Sequence, residues 1–288
     1  MCGCALAAGL SDDYAGPPGE GEAGAVDGAA DASDGSAPDD APGADAPADG
    51  GCGPVTVIDE TFATGFPPGW TAAGDTDQTA KPDAATPGVQ LVPLESFEYG
   101  TLFHDAIAVP LGAFSATFRF RVDASSSVVS DGLAFVWLDG TGDVTAATYG
   151  QGLGVVDKRS GWAFVLDTYE NPDNTDPAAP YYGVVRIDPT RGRPGTYDWH
   201  LKSTSPLGKT VFSVTHTARV TLASSQVTAT VDGITVLDAV SVATRSASPP
   251  AQGNIGITAA TGGSSPLAVF VDDLRVTVPN QACPGAFP

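Results

Sequence analysis

Residues 117–122 read TFRFRV, with Phe118, Phe120 and Val122 on one side of an extended chain and Thr117, Arg119 and Arg121 on the other. Strict alternation of this kind marks a half-buried strand, because successive side chains of a strand point to opposite faces. The same chemistry recurs outward from it. VTATVDGITVL, residues 227–237, is two alternating runs around Asp232-Gly233, a pair suited to the positive φ angles of a tight hairpin turn. Further strands are expected in VTVIDETF from Val55, GLAFVWL from Gly132, WAFVLDTY from Trp162, YGVVRID from Tyr182, NIGITAA from Asn254 and LAVFVDDLRVTV from Leu267. No stretch sustains a helical period, and Gly and Pro separate the runs. The expected fold is all-β, an antiparallel two-sheet β-sandwich whose inner faces close on each other.

That domain does not start at the first residue. Residues 1–53 are almost wholly Ala, Gly, Pro, Asp and Ser, with Tyr14 as the lone aromatic, and cannot bury a core. They carry eleven acidic residues and no Lys or Arg, so about −10 of the net charge of −21 belongs to the remainder. The expectation is a disordered, self-repelling tail, 1–53, before one folded domain, 54–283. The thirteen Lys and Arg are scattered and the overall field repels phosphate, which argues against a nucleic-acid partner. With no run of eighteen apolar residues, no membrane-spanning helix is expected.

Cys2 and Cys4 stand at the start, and Cys52 and Cys283 at either end of the folded part. Joined, the second pair closes a loop of 231 residues, for which the chain-entropy account gives about 5 kcal/mol as an upper figure. A disulfide there implies an oxidising compartment. Two free surface thiols are the alternative, since sequence does not fix connectivity. The opening MCGCALAAGL lacks the basic segment and apolar run of a secretory signal. Gly3-Cys4 before small residues and an acidic linker nevertheless resembles a bacterial lipoprotein maturation site with its signal lying upstream. The expectation is a lipid anchor at Cys4 and an extracytoplasmic protein, secreted or held at the outer surface.

Several catalytic and cofactor patterns fail in their context. Gly19-Glu20-Gly21-Glu22-Ala23-Gly24 fits a dinucleotide-binding glycine pattern but lies in the acidic tail, without a strand before it or a helix after it. Gly208-Lys209-Thr210 lacks the leading glycine of a phosphate loop, since Ser203 stands in its place. His104, His200 and His216 have no Cys or His at zinc-ligand spacing, and no Gly-x-Ser-x-Gly elbow is present. Only six Glu exist, and Glu95 and Glu98 are spaced so that a strand would not put both on one face. A glycan hydrolase needs two carboxylates across one bond, and none is visible.

FVLDTYENPDNTDP, residues 164–177, begins as an apolar run and then supplies Asp167, Tyr169, Asn171, Asp173, Asn174 and Asp176. A polar turn is the plain reading, because Asn, Asp and Pro are what turns use. A calcium site at the sandwich rim is the sharper one, since calcium takes roughly six to eight hard oxygen ligands and this loop offers carboxylate, carbonyl and amide oxygens.

Four stretches in order bear on that choice: LFHDAIAVPLGAFSATFRFRV from Leu102, SDGLAFVW from Ser130, YGQGLGVV from Tyr149, and FVLDTYENPDNTDP, followed at Gly256 by GITAATGG. Together, from about Leu91 to Val278, they resemble the legume-type (L-type) lectin family, whose fold is a concanavalin A-like jelly roll. The resemblance implies calcium held by Asp167, the Tyr169 carbonyl, the Asn171 side-chain oxygen and Asp176. It also implies a sugar site made of Asp131, the backbone near Gln151, the Tyr169 ring, the Asn171 amide nitrogen, and Gly263 with Ser264. A cis peptide between Ser130 and Asp131 is a further implication. Two positions depart from the pattern of the plant members: Val165 and Tyr181 stand where a Glu and a His hold a transition metal beside the calcium, so that second metal is expected to be absent. Gln151 departs too, standing where the family usually has Gly. The expected function is a calcium-dependent, glycan-binding lectin domain rather than an enzyme. The alternatives are a sandwich-fold glycan hydrolase and a calcium-stabilised structural or adhesive sandwich without a sugar site.

Overall fold

Alternation in the sequence becomes alternation in burial. The computed structural model describes residues 52–283 except 64, 77–87, 106, 108–110, 125, 127–129, 157, 172–175, 188–210, 243–251 and 264. The chain divides into a unit Met1–Ala48 and a unit Asp49–Pro288, and every described residue lies in the second. The expected disordered tail and the Cys4 anchor therefore lie outside the described residues.

The strands are β1 (Val55–Glu60), β2 (Trp70–Gly74), β3 (Val89–Val92), β4 (Tyr99–His104), β5 (Phe114–Ala124), β6 (Gly132–Asp139), β7 (Gly161–Asp167), β8 (Tyr181–Ile187), β9 (Thr215–Ala223), β10 (Gln226–Val231), β11 (Ile234–Ser241), β12 (Gly253–Ala260) and β13 (Leu267–Val278). They form two sheets. One runs β1-β13-β5-β9-β10-β11 with β3 also on β13, and the other runs β2-β4-β12-β6-β7-β8. Every pairing within them is antiparallel. The all-β sandwich expected from the alternating runs is the fold observed. Among the described residues no helix is long and apolar enough to cross a membrane.

β5 turns Phe114, Ala116, Phe118, Phe120 and Val122 inward and leaves Arg119 and Arg121 outside. Opposite them, β6 and β7 contribute Leu133, Phe135, Trp137, Phe164 and Leu166 to the same core. Phe118 stacks on Phe135 with ring centroids 5.4 Å apart, and Phe114 meets Trp137 edge-on at 5.3 Å, so aromatic pairs bridge the two sheets. The continuous apolar runs of β6, β7 and β8 have another cause. Their second face is buried as well, where Ala134, Val136, Val165 and Tyr181 pack with Val144, Leu153, Val155 and Val156 of the segment after β6. A strand covered on both sides has no polar face to show.

The β10–β11 hairpin turns at Asp232 and Gly233, with φ of 51° and 78°. β1 pairs with β13, Val55 opposite Val278, and just beyond them a disulfide joins Cys52 to Cys283 with Cα atoms 5.3 Å apart. The clasp expected from the sequence is present. The sequence reading does not anticipate β2, β3 or β9. β2 is built largely of small residues, β3 has only four residues, and the inward row of β9 includes His216 and Ala218, which dilutes its apolar signal.

Candidate functional site

Antiparallel pairing brings one residue from each of five strands into a row across the six-stranded sheet. Tyr99 of β4 pairs with Ala260 of β12, Ala260 with Gly132 of β6, Gly132 with Asp167 of β7, and Asp167 with Tyr181 of β8. The loops that leave this row contain most of the residues singled out in the sequence. Positions separated by more than a hundred residues thereby meet at one rim.

Asp131 is pinned by its backbone and left open by its side chain. Its N–H donates to the Ala260 carbonyl at 3.0 Å, and its carbonyl accepts from the Thr168 N–H and hydroxyl at 2.7 and 2.8 Å. The Ser130–Asp131 peptide is cis. Only 3% of Asp131 is exposed, yet its Oδ2 is buried without a hydrogen-bond partner. Two glycines let the chain approach it: a Cβ on Gly150 would lie 3.4 Å from Asp131 Oδ2, and one on Gly262 3.0 Å from it. Burial pushes the Asp131 carboxyl up to about 7, with the charge of Asp176 adding to the shift.

Asp167, 4% exposed, ends β7 on the same face. Its Oδ1 accepts from the Tyr169 N–H and its Oδ2 from the Tyr181 hydroxyl, both at 3.0 Å. Those two bonds favour the carboxylate, but burial outweighs them, and with the charges of Asp176 and Asp131 it holds Asp167 well above the usual range. The Asn171 N–H donates to Asp176 Oδ2 at 2.9 Å, while Asn171 Nδ2 is buried without a partner. The charge of Asp176 thus raises both Asp131 and Asp167, that of Asp131 raises Asp167 further, and no described Lys, Arg or His is among the groups that shift either. Among the described residues no three Asp, Glu, His or Cys side chains form a group able to hold a metal ion. The set expected from the sequence is of another kind, two carboxylates with a carbonyl and an amide oxygen.

The remaining expected residues fall around these. Gln151 is the middle of a single 3-10 turn, Gly150–Gly152, whose first N–H donates to the Thr261 carbonyl at 3.3 Å. Tyr169 is half-buried. Gly263 lies against the ring of Phe97. Ser264, with Asp173 and Asn174, lies outside the described residues. Val165 and Tyr181 are both fully buried in the second apolar cluster.

Sequence reasoning weighs the loop between β3 and β4 only as a failed catalytic pair, Glu95 and Glu98, and gives it no place at the site. Thr261 holds it: its hydroxyl donates to the Glu95 carbonyl at 2.7 Å and accepts from the Glu98 N–H at 2.9 Å, and its own N–H donates to the Glu98 carbonyl at 2.8 Å. The Glu98 side chain hydrogen-bonds Asp75, and chiefly that bond, with burial and the charges of Asp75 and Glu95, pushes Glu98 up to about 7. A local signal existed only in the Phe and Tyr of LESFEYG, because Thr261 and Asp75 are remote in sequence.

No family model matches the chain, and no curated protein matches it in sequence. Solved structures do match in shape. Lectin I-B4 from Griffonia simplicifolia, in its metal-free form, superposes with a TM-score of 0.60 at 20% identity over 76% of this chain and 98% of its own. A lectin from Bauhinia forficata in complex with GalNAc gives 0.60 at 21% identity over 79% and 100%. The exoplasmic/lumenal domain of VIP36 in its Ca2+/Man-bound form gives 0.54 at 19% identity over 75% and 84%. The chain has the fold of the L-type lectins. In that fold the rim built on Tyr99, Ala260, Gly132, Asp167 and Tyr181 carries three of the buried polar atoms without a partner among the described residues, Ser130 Oγ, Asp131 Oδ2 and Asn171 Nδ2.

Proposed function

We propose that this chain is a calcium-dependent carbohydrate-binding domain, working outside the cytoplasm on glycans or polysaccharides. The observation that carries the reading is the pairing of two orphans at one rim. Asp131 Oδ2 is a buried acceptor and Asn171 Nδ2 a buried donor, each without a partner among the described residues. Buried polar groups left unpaired are costly and rare, and neighbouring sugar hydroxyls, which both donate and accept, would satisfy both. The lectins of like fold support this reading, since VIP36 occurs in a Ca2+/Man-bound form and the Bauhinia forficata lectin in complex with GalNAc.

The donor set fits calcium. Asp167, the Tyr169 carbonyl, the Asn171 side-chain oxygen and Asp176 are hard oxygens, and Asp176 stands close enough for its charge to raise Asp167. A bound divalent cation would supply positive charge beside Asp131 and Asp167, which no described Lys, Arg or His is seen to shift. A transition metal beside it fits poorly, because Val165 offers only hydrocarbon and the Tyr181 hydroxyl is already donating to Asp167. In binding, Asp131 accepts from two sugar hydroxyls, Asn171 Nδ2 donates to one, the backbone around Gln151 and Gly263 donates further, and the Tyr169 ring covers the apolar face of the sugar.

Hydrolysis is disfavoured. Asp131, Asp167 and Asp176 are assigned above to the sugar and the ion, and the further pair, Glu98 with Asp75, is in hydrogen-bond contact, whereas glycosidase carboxyls stand about 5 to 9 Å apart to flank the scissile bond. A glycan array probed with calcium and again with chelator tests the function. Calcium-dependent signals on defined glycans are expected. Calcium binding with a silent array would leave the structural or adhesive reading instead, and release of reducing sugar would reinstate the hydrolase.

A further inference from the structure

Two large aromatic side chains stand in solvent at the lip of this rim. Phe97 is 64% exposed and Tyr149 57% exposed, although bulky apolar rings in the same domain are otherwise largely buried. Each belongs to a loop that also closes on Asp131. Tyr149 directly precedes Gly150, where a Cβ would come within 3.4 Å of Asp131 Oδ2. The Phe97 N–H donates to the carbonyl of Gly262, the second glycine beside that oxygen, at 3.3 Å, and the Phe97 ring covers Gly263. Phe97 also has φ of 63°, in the left-handed region that a bulky side chain rarely adopts. The Thr261 hydrogen bonds to Glu95 and Glu98 hold the loop in that shape. Tyr149 is backed by Tyr99, with ring centroids 6.1 Å apart.

A strained backbone and an exposed apolar ring are each unfavourable for folding, and here they coincide on one residue beside a polar pocket. That coincidence asks for an occupant that meets the ring when bound. We infer that Phe97 and Tyr149 form an aromatic second subsite, which takes the sugar residue next to the one held at Asp131 and so selects oligosaccharides over simple glycosides. The inference rests on the carbohydrate-binding reading. A pyranose is amphipathic, with hydroxyls around its edge and C–H groups on its faces, so a polar pocket bordered by aromatic rings matches two linked sugars in sequence: hydroxyls read at Asp131, a C–H face laid on Phe97 or Tyr149. The anchoring through Thr261 means the platform is held in place before the ligand arrives, which limits the entropy lost on binding.

The test is an array that displays each terminal monosaccharide both as its simple glycoside and at the end of di- and trisaccharides, in calcium buffer, with the full chain and its Phe97→Ala, Tyr149→Ala, Phe97→Trp and Asp131→Asn variants. The wild type should prefer an oligosaccharide to its terminal monosaccharide by about tenfold or more. Tyr149→Ala should erode that preference while leaving the simple glycoside unchanged, Phe97→Ala should weaken the oligosaccharide more than the simple glycoside, and Phe97→Trp should keep the preference. Both aromatic positions are exposed, so the alanine variants should fold, and thermal melts check this. An undiminished preference in the two alanine variants, or none in the wild type, overturns the second subsite while the lectin reading stands. A wild type silent on every glycan overturns both. A concentration-dependent dimer that Phe97→Ala dissociates, with glycan preference intact, would assign the patch to a second copy of the chain and likewise overturn the inference.

Discussion

Two regions of the molecule bury aspartates to nearly the same depth and treat them differently. On the outer face of the seven-stranded sheet, Asp272 is 5% exposed and faces Arg119, whose Nη1 lies 3.4 Å from its Oδ2 and 3.1 Å from Asp273 Oδ2. Burial and the charge of Asp273 raise Asp272, the Asp273 N–H and Arg119 pull it back, and it settles at about 6. At the rim of the six-stranded sheet, Asp131 and Asp167 are as little exposed, and among the described residues only carboxylates act on them as charges. One region sets the protein's own cation beside its acid, which offsets part of the burial and leaves Asp272 Oδ1 without a partner among the described residues. The other leaves the charge open, and a carboxylate cluster without a cation is what an external ion and a hydroxyl-bearing ligand would complete.

The largest effect that would test this contrast is the loss of glycan binding in Asp131→Asn. An ionised carboxylate offers only acceptors, whereas the amide turns one of them into a donor facing a hydroxyl that must now reverse. Charge-assisted hydrogen bonds contribute about 1.5 to 3 kcal/mol each, and a shallow site of millimolar affinity has near 4 kcal/mol in total. Titration with the glycan selected by the array should therefore show no measurable binding, with circular dichroism unchanged. Undiminished binding by the folded variant would move the sugar site away from the rim.

Next in size is an inverted pH dependence in chelated protein. Unfolded, Asp131 titrates near the ordinary carboxylate value of about 3.9, and folded without metal it titrates at about 7. Between those values the folded state holds a proton that the unfolded state has released, so stability falls as pH rises through the window, by about 1.4 kcal/mol per unit and up to about 4 kcal/mol in all. Asp167 is raised in the same direction and adds to the trend. Calcium should flatten or reverse it, because a cation favours the deprotonated ligands. Melts from pH 5 to 8 with chelator and with calcium decide the matter, and a chelated protein that gains stability over that range would contradict the open-charge account.

Calcium itself should then stabilise the fold. At a hundredfold excess over its dissociation constant a ligand bound only by the folded state adds about 2.7 kcal/mol, roughly 5 to 10 °C of melting temperature for a domain of this size. Manganese added beside saturating calcium should contribute nothing more. A further rise would restore the second metal that Val165 and Tyr181 argue against.

The contrast also shows where sequence speaks and where it stops. Continuous apolar runs made β6, β7 and β8 legible, and alternation did the same for β5 and for the β10–β11 hairpin, because burial on one face or two writes a period directly into the chain. Asp167, Asn171 and Asp176 were legible as candidates because they share one loop. Phe97 and Tyr149 were not, since what makes them notable is exposure beside Asp131, a relation created by Thr261, Gly150 and Gly262 from distant parts of the chain. The pairing of Asp272 with Arg119 was hidden for the same reason, since they stand 153 positions apart.

The smallest effect is the control that keeps the comparison sharp. Asp272→Asn removes a buried charge, which relieves the burial penalty that raises this acid to about 6. It also takes one carboxylate from Arg119, but Arg119 is about a third exposed and keeps Asp273 at 3.1 Å, so its charge is not stranded. The two terms oppose each other, and half-exposed ion pairs contribute only about 0 to 1 kcal/mol. The variant should melt within a few degrees of wild type, and its calcium increment should be unchanged, because Asp272 lies on the sheet opposite the one that forms the rim. Melting the variant with calcium and with chelator measures both quantities at once. If the increment disappeared while the fold remained, an acid with the protein's own cation beside it would be acting at the rim from across the sandwich, and the division between the two kinds of buried aspartate would fail.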